Sequence, residues 1–468
     1  MFERILEKAI NLQEGGKHED ATAVFDAVLG RAPDNPYALY CAGTSFLIRG
    51  MNGVSMSLLS SAIQLSKPED SWYAPAWNNF ATALKREEHQ ELAVKAFEKS
   101  LEAHNDPATL ANYSGMYINQ GTPDRAIELS RKCMEIDPYQ AQAGNHYSLA
   151  QLEMGNYEEG FRWYNSRLRL AEFHDRKYPG PMWEGERVGT LVVHGEQGVG
   201  DEIMFCSQIP EVLKRVDRLV IECAGKLIPT FARSFGVRCY ATDKELLENE
   251  KPDAWIAMGS LPGLFKAYQP LEHQGYLKAD PVRVEHWRAQ YPGLRIGVSW
   301  RGGTKQTHFN LRNFDLKTWK KLTSAGRLIS LQYGEGWDHE IQALGLANPK
   351  WNDFDDHMAL VAACDLVISV CNTTVHMAGA LNVPCWVLVP SKPAWRYGMT
   401  GERMLWYPSA RMYRQIGNDW DTVIEKIRSD LEQTYQSRIP PGQRGDARPE
   451  AELRNHGTAL RLIRSATG

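Results

Sequence analysis

Apolar residues in the first third of the chain recur with the spacing of paired amphipathic helices. The clearest copy is AWNNFATALKREEHQELAVKAFEKSLE, where large apolar residues alternate with small ones at the positions where two helices approach closely. The positions that define this copy are Trp77, Phe80, Ala81, Leu84, Ala93, Phe97 and Ser100. The pattern recurs about every 34 residues. It therefore predicts about five stacked helical pairs between residue 2 and residue 170.

Beyond residue 188 the pattern changes to short buried strands that alternate with helices. The predicted strands are Thr190–His194, Leu219–Glu222, Ala254–Ala257, Arg295–Arg301, Leu328–Gln332, Leu366–Val370 and Cys385–Val389. Apolar, β-branched runs separated by helices predict parallel sheets. The chain is therefore expected to be an α + α/β protein: a helical array over 1–170, a linker over 171–188, α/β halves over 189–290 and 291–437, and a flexible tail over 438–468.

A period of 34 residues built from helical pairs is similar to the tetratricopeptide repeat. The matching positions in the other copies are Ala9, Leu12, Ala21, Phe25 and Pro33; Leu39, Gly43, Phe46 and Ala62; Leu110, Tyr113, Tyr117, Gly121, Ala126 and Cys133; and Tyr147, Gly155 and Tyr164. No single pair buries its own apolar face, so the copies are expected to form one solenoid.

The stretch DLVISVCNTTVHMAGALNVPCWVLVP reads as strand, loop, helix and strand. Ligands of parallel sheets bind beyond the carboxyl ends of the strands, where a helix N-terminus favours an anion. Asn372, Thr373, Thr374 and His376 lie at this place. Two interpretations are equally open: an anion site, or the polar cap that any such helix needs.

A glycine-rich turn, GEQGVGD, follows the first predicted strand. It lacks the GK[ST] of triphosphate-binding loops and the glycine spacing of dinucleotide-binding turns, which disfavours both ligand classes. Gly198 and Gly200 permit close approach of the main chain to a ligand. Asp201 is either a helix-capping residue or a general base over a bound hydroxyl.

A basic loop follows the first strand of the second half. Arg301, Lys305, His308 and Arg312 fall within twelve residues that also contain two glycines. Such a loop is suited to hold a diphosphate. The alternative interpretation is a solvated basic loop without a ligand.

Composition narrows the classes of function. The formal net charge of −4 argues against a bulk electrostatic preference for nucleic acid or anionic membrane. Eight scattered cysteines without a CxxC spacing predict neither a disulfide framework nor a zinc site. The charged N-terminal run is not a signal peptide, and no apolar stretch is long enough to cross a membrane. A cytoplasmic location is the expectation.

The segments GEQGVGDEIMF, VSWRGG, ISLQYGE, DLVISVCNTTVHMAGALNVP, PAWRYG, LWYPSARMYRQ and DW occur in this order. Together they resemble bacterial tetratricopeptide-repeat glycosyltransferases, relatives of the heptosyltransferases that include flagellin glycosyltransferases. The resemblance covers roughly residues 1–435. It implies a GT-B fold, in which two Rossmann-like lobes bind an acceptor and a nucleotide-activated sugar without a metal or other cofactor.

The resemblance also implies roles for individual residues. Asp201 would be the catalytic base of an inverting transfer. Donor-binding residues would be Arg301, Lys305, Gln332, Glu335, Asn372, Thr373, Thr374 and His376. Trp395 and Arg396 would line the donor pocket, and the equal alternative for the aromatic residues after position 395 is core packing between the lobes. Gly198 and Gly200 would bind the acceptor. Related sequences tend to have aspartate where Asn372 stands, which favours a different donor, such as a CMP-activated nonulosonic acid.

The acceptor implied by the resemblance is a polypeptide, with flagellin the favoured one. Asn79 and Asn112 are expected to occupy one position of consecutive inner helices. Either they would bind a peptide main chain, similar to the asparagine ladder of O-linked N-acetylglucosamine transferase, or they are the polar residues that solvated inner-helix positions often have. Two alternatives stay open. One is a glycosyltransferase for a lipid or polysaccharide acceptor, and the other is a non-catalytic scaffold.

Overall fold

The computed structural model describes residues 2–171, 176, 178–268, 275–303, 313, 316–323, 328–417 and 419–435. They form two compact units. The first unit is drawn from residues 1–177, 266–268 and 394–399, and the second from the rest of the chain. The α + α/β prediction is confirmed, because the first unit is helical and the second contains parallel sheets.

The first unit is an array of five helical hairpins. Its helices are α1 (Phe2–Glu14), α2 (His18–Leu29), α3 (Pro36–Ile48), α4 (Asn52–Leu65), α5 (Tyr73–Arg86), α6 (Gln90–Ala103), α7 (Pro107–Gln120), α8 (Pro123–Ile136), α9 (Ala141–Glu153) and α10 (Tyr157–Tyr164). Local sequence sets several helix ends. Asp106 caps α7 by accepting from the Thr109 N–H, with Pro107 in the first turn, and Gly121 ends α7 with a φ of 64°.

Small residues allow the two helices of a hairpin to approach closely. A Cβ on Gly43 of α3 would lie 2.8 Å from Cγ of Leu59 on α4. A Cβ on Gly160 of α10 would lie 2.6 Å from the Leu152 side chain on α9. Packing this tight leaves no room for a side chain at either glycine. The predicted pattern of large and small residues therefore corresponds to real contacts between paired helices.

Two short segments from later in the sequence belong to the helical unit. Tyr268 stacks on Phe161 of α10 with ring centroids 5.9 Å apart. Trp395 packs edge-on against Phe161 and Tyr164 at 6.0 and 5.9 Å. Trp395 is only 6% exposed, so it is a core residue of this unit.

The second unit contains two parallel sheets. The first has the order β3-β2-β1-β4, built from β1 (Val188–His194), β2 (Val216–Glu222), β3 (Arg238–Tyr240) and β4 (Ala254–Ala257). The second has the order β6-β5-β7-β8-β9, built from β5 (Ile296–Ser299), β6 (Leu328–Ser330), β7 (Leu366–Val370), β8 (Cys385–Val389) and β9 (Ala410–Arg414).

Helices connect the strands of both sheets. They are α11 (Val199–Phe205), α12 (Ile209–Leu213), α13 (Ile228–Phe235), α14 (Asp243–Asn249), α15 (Leu261–Leu264), α16 (Pro281–Gln290), α17 (Leu316–Thr323), α18 (Asp338–Leu344), α19 (Phe354–Ala363), α20 (Thr373–Ala380) and α21 (Asp421–Tyr435). The core of the second sheet is apolar and aromatic, with Trp300 and Trp319 almost fully buried. The predicted helix near the C-terminus is confirmed as α21, whose apolar residues join this core.

Strand order reverses once in each sheet. β1 lies between β2 and β4, and β5 lies between β6 and β7. In open parallel sheets, ligands bind beyond the carboxyl ends of strands at such reversals. The glycine-rich turn follows β1, and the loops that begin at Arg301 and Cys371 follow β5 and β7. The fold therefore brings the predicted site segments to the two places where binding is expected.

Candidate functional site

The glycine turn of the first sheet lies against the N-terminus of α20. Helices α11 and α20 pack together. A Cβ on Gly200 would lie 3.0 Å from Cδ2 of His376 and 3.6 Å from both His376 Nε2 and Thr373 Oγ1. Glycine at position 200 permits this approach, so Gly200, Thr373 and His376 form one cluster.

Asp201 lies at the start of α11, beside this cluster. Its Oδ2 accepts from the Gly198 N–H over 3.3 Å, a capping contact at the weak end of the range. The carboxyl group is half-buried. Both interpretations of the sequence therefore fit the geometry, since Asp201 caps its helix and also adjoins the cluster.

Four residues at the N-terminus of α20 differ in how far their side chains are exposed to a ligand. Asn372 is 6% exposed, Thr374 fully buried and His376 5% exposed, whereas Thr373 is half-buried. The Thr374 hydroxyl has no hydrogen-bond partner within the part of the chain that the structure describes. A fully buried hydroxyl is not presented to a ligand, so the predicted donor contact of the Thr374 side chain does not fit this structure.

Asn372 acts as a brace, meaning a side chain whose hydrogen bonds hold the ends of neighbouring strands, here β5 and β7, together. Its Oδ1 accepts from the Thr374 N–H at 2.9 Å and from Ser369 Oγ at 3.0 Å. Its Nδ2 donates to Ser299 Oγ at 2.7 Å and to the Arg301 carbonyl at 3.0 Å. An amide can donate and accept at once, which an aspartate carboxylate cannot do. The departure from aspartate thus has a structural explanation that implies nothing about the donor.

Gln332, which follows β6, holds the end of β5 from the side opposite Asn372. Its Oε1 accepts from the Trp300 and Arg301 N–H groups at 3.1 and 2.9 Å and from Ser299 Oγ at 3.2 Å. Its Nε2 donates to the Arg301 and Tyr333 carbonyls at 3.2 and 3.3 Å. Protein groups therefore occupy the Gln332 amide, which is 5% exposed, and the contact of Gln332 with a base or ribose stays a prediction.

Arg301 forms a two-pronged ion pair. Its Nε and Nη2 donate to the Glu340 carboxylate at 3.1 and 2.7 Å, and Trp300 Nε1 donates to Glu340 at 2.6 Å. Burial alone would raise the pKa of Glu340, but the hydrogen bonds from Arg301 and Trp300 outweigh it and lower the pKa. The predicted phosphate contact of Arg301 would therefore be made by an ion pair, not by an isolated cation. Lys305, His308 and Arg312 lie outside the described residues.

A cavity of about 500 Å³ opens at the end of β6. Gln332, Glu335, Trp337, Lys350 and Trp351 line it, together with main chain of the 334–336 turn. Glu335 is exposed there, as expected of a group that could accept hydrogen bonds from a ligand. The aromatic and carboxylate lining is suited to a flat polar ring attached to a sugar.

Tyr407 is a site residue that the sequence analysis did not single out. Its hydroxyl lies 3.0 Å from Nδ1 of His376, and its ring covers Gly379, where a Cβ would lie 2.1 Å from Tyr407 Cγ. Burial raises the pKa of Tyr407 well above its usual value, and the charge of Asp201 adds to the rise. Tyr407 therefore orients the imidazole whose opposite edge lies at Gly200. Two sequence signals were available for Tyr407: it lies in the segment LWYPSARMYRQ, and the glycine at position 379 leaves room for its ring.

The asparagines of the helical unit form a hydrogen-bonded spine across four hairpins. In chain order its members are Thr44, Asn78, Asn79, Asn112 and Gln142. Gln142 donates to Asn112 (3.2 Å), Asn112 to Asn78 (3.0 Å), Asn78 to Asn79 (3.3 Å) and Asn79 to Thr44 (2.9 Å). Asn112 lies 34 residues after Asn78, the same offset as between the starts of α5 and α7. The predicted equivalence of Asn79 and Asn112 is therefore wrong by one residue, although both belong to the spine.

Two further observations concern metals and membranes. Within the described ranges, no group of three or more His, Cys, Asp or Glu side chains is arranged to hold a metal ion. The same residues include no helix that is both long and apolar enough to cross a membrane.

Comparison with known proteins agrees with the helical repeats. A tetratricopeptide-repeat family model matches residues 74–106 and 108–140. The chain is 26% identical to protein FlbA of Caulobacter vibrioides over 504 aligned positions, which cover 90% of this chain and 83% of FlbA. The chain contains tetratricopeptide repeats and is similar to FlbA along most of its length.

Solved structures resemble part of this chain. MamA is 19% identical with a TM-score of 0.30, covering 34% of this chain and 92% of MamA. YrrB, described as a tetratricopeptide-repeat protein with an unusual peptide-binding site, is 20% identical with a TM-score of 0.29, covering 36% of this chain and 86% of YrrB.

Proposed function

We propose that this protein is a metal-independent, inverting O-glycosyltransferase of the GT-B type, which transfers a sugar from a nucleotide-activated donor to Ser or Thr of a polypeptide. The observation that carries the proposal is the cluster formed by Gly200, Thr373 and His376 beside Asp201. A candidate base on one sheet and a candidate anion site on the other adjoin, as transfer between an acceptor and a donor requires.

The proposed chemistry uses groups on both sides of this cluster. Asp201 takes the proton of the acceptor hydroxyl as its oxygen attacks the anomeric carbon of the sugar. The bond from that carbon to the phosphate oxygen breaks, and the nucleotide leaves with the electron pair. The N-terminus of α20, the Thr373 hydroxyl and His376 stabilise the negative charge on the leaving phosphate. The proposal includes no cofactor, since the nucleotide-activated sugar is a substrate.

The distribution of charged groups supports placing the base at the first sheet and the anionic donor at the second. The loop after β1 and the start of α11 carry three carboxyl groups, Glu196, Asp201 and Glu202, and the first and third are buried. In the second sheet, amides brace the strand ends, and Arg301 neutralises Glu340. An anionic donor is repelled less at the second sheet, where the cavity beside Glu335 could hold its nucleoside.

A polypeptide acceptor is proposed because the helical array presents a spine of side-chain amides. Flagellin is the first acceptor to test. Since Asn372 is explained by its bonds to the protein, it no longer favours a CMP-activated nonulosonic acid over other donors, and this donor is one of several to assay.

One observation favours a second candidate, the non-catalytic scaffold. Glu340 pairs with Arg301, and protein groups use the amides of Gln332 and Asn372, so fewer side chains are left to hold a donor. A scaffold would recruit a polypeptide through the array and would not need Asp201.

The deciding experiment measures the intact mass of flagellin purified from a strain that lacks this gene. The flagellin is incubated with the purified protein and, in separate reactions, with UDP-, GDP-, ADP- and CMP-activated sugars. We expect sugar-sized mass increments with the natural protein and with Asp217→Asn, a control at an exposed carboxylate of the same half. Asp201→Asn should lower transfer at least about a hundredfold, the usual contribution of a general base.

Other outcomes would contradict the proposal in distinct ways. Equal transfer by Asp201→Asn would remove its role as the base. Transfer to a membrane-lipid or polysaccharide extract, with none to protein, would select the alternative acceptor. No transfer from any donor to any acceptor would leave the scaffold.

A further inference from the structure

The first helices of successive hairpins pack side by side and are here called the inner strip (α3, α5, α7 and α9). They bond to one another through the spine described above. Each asparagine of the spine uses one N–H and one oxygen lone pair in these bonds, and an amide has two of each. Asn78 is buried, whereas Asn79 and Asn112 are half-buried, so these two retain donors and acceptors of the kind that the unpaired main chain of an extended polypeptide requires.

Charge on the inner strip is sparse and positive. The four helices contain only three charged residues, Lys85, Arg86 and Glu153. Burial raises the pKa of Glu153 to about 7, so its negative charge is weakened near neutrality. Arg86 donates to the Leu47 carbonyl at 2.6 Å and ties two hairpins together. Lys85 is left as the cation that the strip can present.

Lys85 shares a helix face with the spine. Asn78, Thr82 and Lys85 are spaced four and three residues apart, which places them on one side of α5. Lys85 is half-buried, and among the described residues it forms no ion pair or hydrogen bond. Glu87, an acid two residues further along, accepts from Asn52 instead.

An uncompensated, half-buried ammonium is unfavourable. Burial, and then the neighbouring Arg86, lower the pKa of Lys85 to about 8. His146 of α9 adds no second positive charge here, because burial lowers its own pKa to about 4 and keeps the ring neutral. A carboxylate from outside the chain would compensate the ammonium of Lys85.

We propose that the inner strip binds an extended polypeptide whose main chain bonds to the amide spine and whose Asp or Glu side chain pairs with Lys85. This inference rests on the polypeptide recruitment proposed above and specifies it. A basic segment is disfavoured, because a second cation would face Lys85 without a counter-charge. An uncharged segment would use the spine and leave the ammonium uncompensated.

The test uses an array of capped nonapeptides and the full-length protein. Nine extended residues span about 30 Å, enough to cross several spine amides. The peptides consist of Ser, Gly, Asn and Thr, with a single Asp moved through each position and a matched Asn peptide for each. Acetyl and amide caps remove the terminal charges, and a parallel set has a free C-terminal carboxylate.

The natural protein should bind the best Asp peptide about tenfold more tightly than its Asn partner, as a hydrogen-bonded charge pair of this kind provides. Lys85→Met should reduce this ratio to about one. Lys132→Met, at an exposed residue of α8 that pairs with Glu128, should leave the ratio unchanged. Because Lys85 has no described partner to lose, Lys85→Met should unfold at or above the temperature of the natural protein.

Three results would overturn the proposal: no Asp preference in the natural protein, a preference that persists in Lys85→Met, or binding only of peptides with a free C-terminal carboxylate. Its failure is separable from failure of the glycosyltransferase proposal. An acid preference without sugar transfer would remove the enzyme alone, whereas transfer without an acid preference would remove this inference alone.

Discussion

The two sheets of the second unit stabilise their carboxyl ends with different chemistry. In the first sheet carboxyl groups do so: Glu196 accepts from the Gly259 N–H at 3.0 Å, and Glu202 from the Ala224 N–H at 2.9 Å. In the second sheet two amides do so, since Gln332 and Asn372 both donate to the Arg301 carbonyl.

The difference matters because carboxylates only accept hydrogen bonds, whereas amides also donate them. A carboxylate brace adds negative charge to the edge of a sheet, and an amide brace adds none. The edge of the first sheet therefore repels an anion more strongly than the edge of the second, although both follow the same strand-order rule. Polar residues at strand ends are thus weak indicators of ligand contact, because many of them hold the main chain in place.

The largest expected effect comes from giving the second sheet the chemistry of the first. Asn372→Asp replaces the donor to Ser299 and to the Arg301 carbonyl with a buried carboxylate. We expect the free energy of unfolding to fall by about 3 kcal/mol, because an uncompensated buried charge is costly and the helix N-terminus recovers only part of that cost. Urea unfolding at pH 7 measures the loss.

Gln342→Glu is the control, since it makes the same amide-to-acid change at an exposed position of α18 and should cost less than about 0.5 kcal/mol. Burial would raise the pKa of the carboxyl group introduced by Asn372→Asp, so the penalty of that variant should shrink as the pH is lowered and the acid is protonated. Equal stability of the variant and the natural protein would show that Asn372 is not a brace.

A smaller effect is expected from Glu340→Gln, which removes the charge that neutralises Arg301. The pair is about one-fifth exposed, so we expect a loss of about 1 kcal/mol at pH 7. The folded pKa of Glu340 is lowered, so its contribution is present above the unfolded pKa near about 4.3 and is lost as the pH falls through the folded value. The difference between natural protein and variant should therefore shrink below about pH 4.

Glu335→Gln tests the same charge change at an exposed neighbour of the cavity. Its stability should match that of the natural protein at each pH. If both variants behaved alike, the Arg301–Glu340 pair would contribute nothing to folding, and Arg301 would be more available to a phosphate than the structure indicates.

Much of the fold could be predicted because its elements have strong periodicity. The helical pairs, the βαβ unit around Asn372 and the C-terminal helix all follow from apolar spacing. Two of the four edge strands, β3 and β9, were not predicted. β3 has only three residues, Arg238–Tyr240, and β9 is the partly exposed run Ala410–Arg414, so neither shows a buried apolar run. Edge strands depend on pairing with a neighbour that local sequence does not reveal.

The candidate site was predictable in location but not in detail. Position along the chain indicated which loops lie at the strand ends. It did not indicate that Gln332 would turn toward the Arg301 main chain, or that Tyr407, 31 residues after His376, would contact its ring. The one-residue error at Asn79 arose because Asn78 and Asn79 are adjacent. Asn78 bonds to Asn112 of α7, whereas Asn79 bonds to Thr44 of α3.

Asp201→Asn is expected to change stability less than Asn372→Asp or Glu340→Gln, and this small effect sharpens the comparison between the sheets. Asp201 is half-buried, and its capping bond to Gly198 is long, so an asparagine should keep that bond at a cost of at most about 0.5 kcal/mol. Urea unfolding of this variant is compared with that of Asn372→Asp. The comparison tests whether Asp201, at the edge of the first sheet, is dispensable for stability while Asn372, at the edge of the second sheet, is required for it. A cost above about 2 kcal/mol would show that Asp201 is itself a brace, and any loss of transfer in this variant would then have a structural cause.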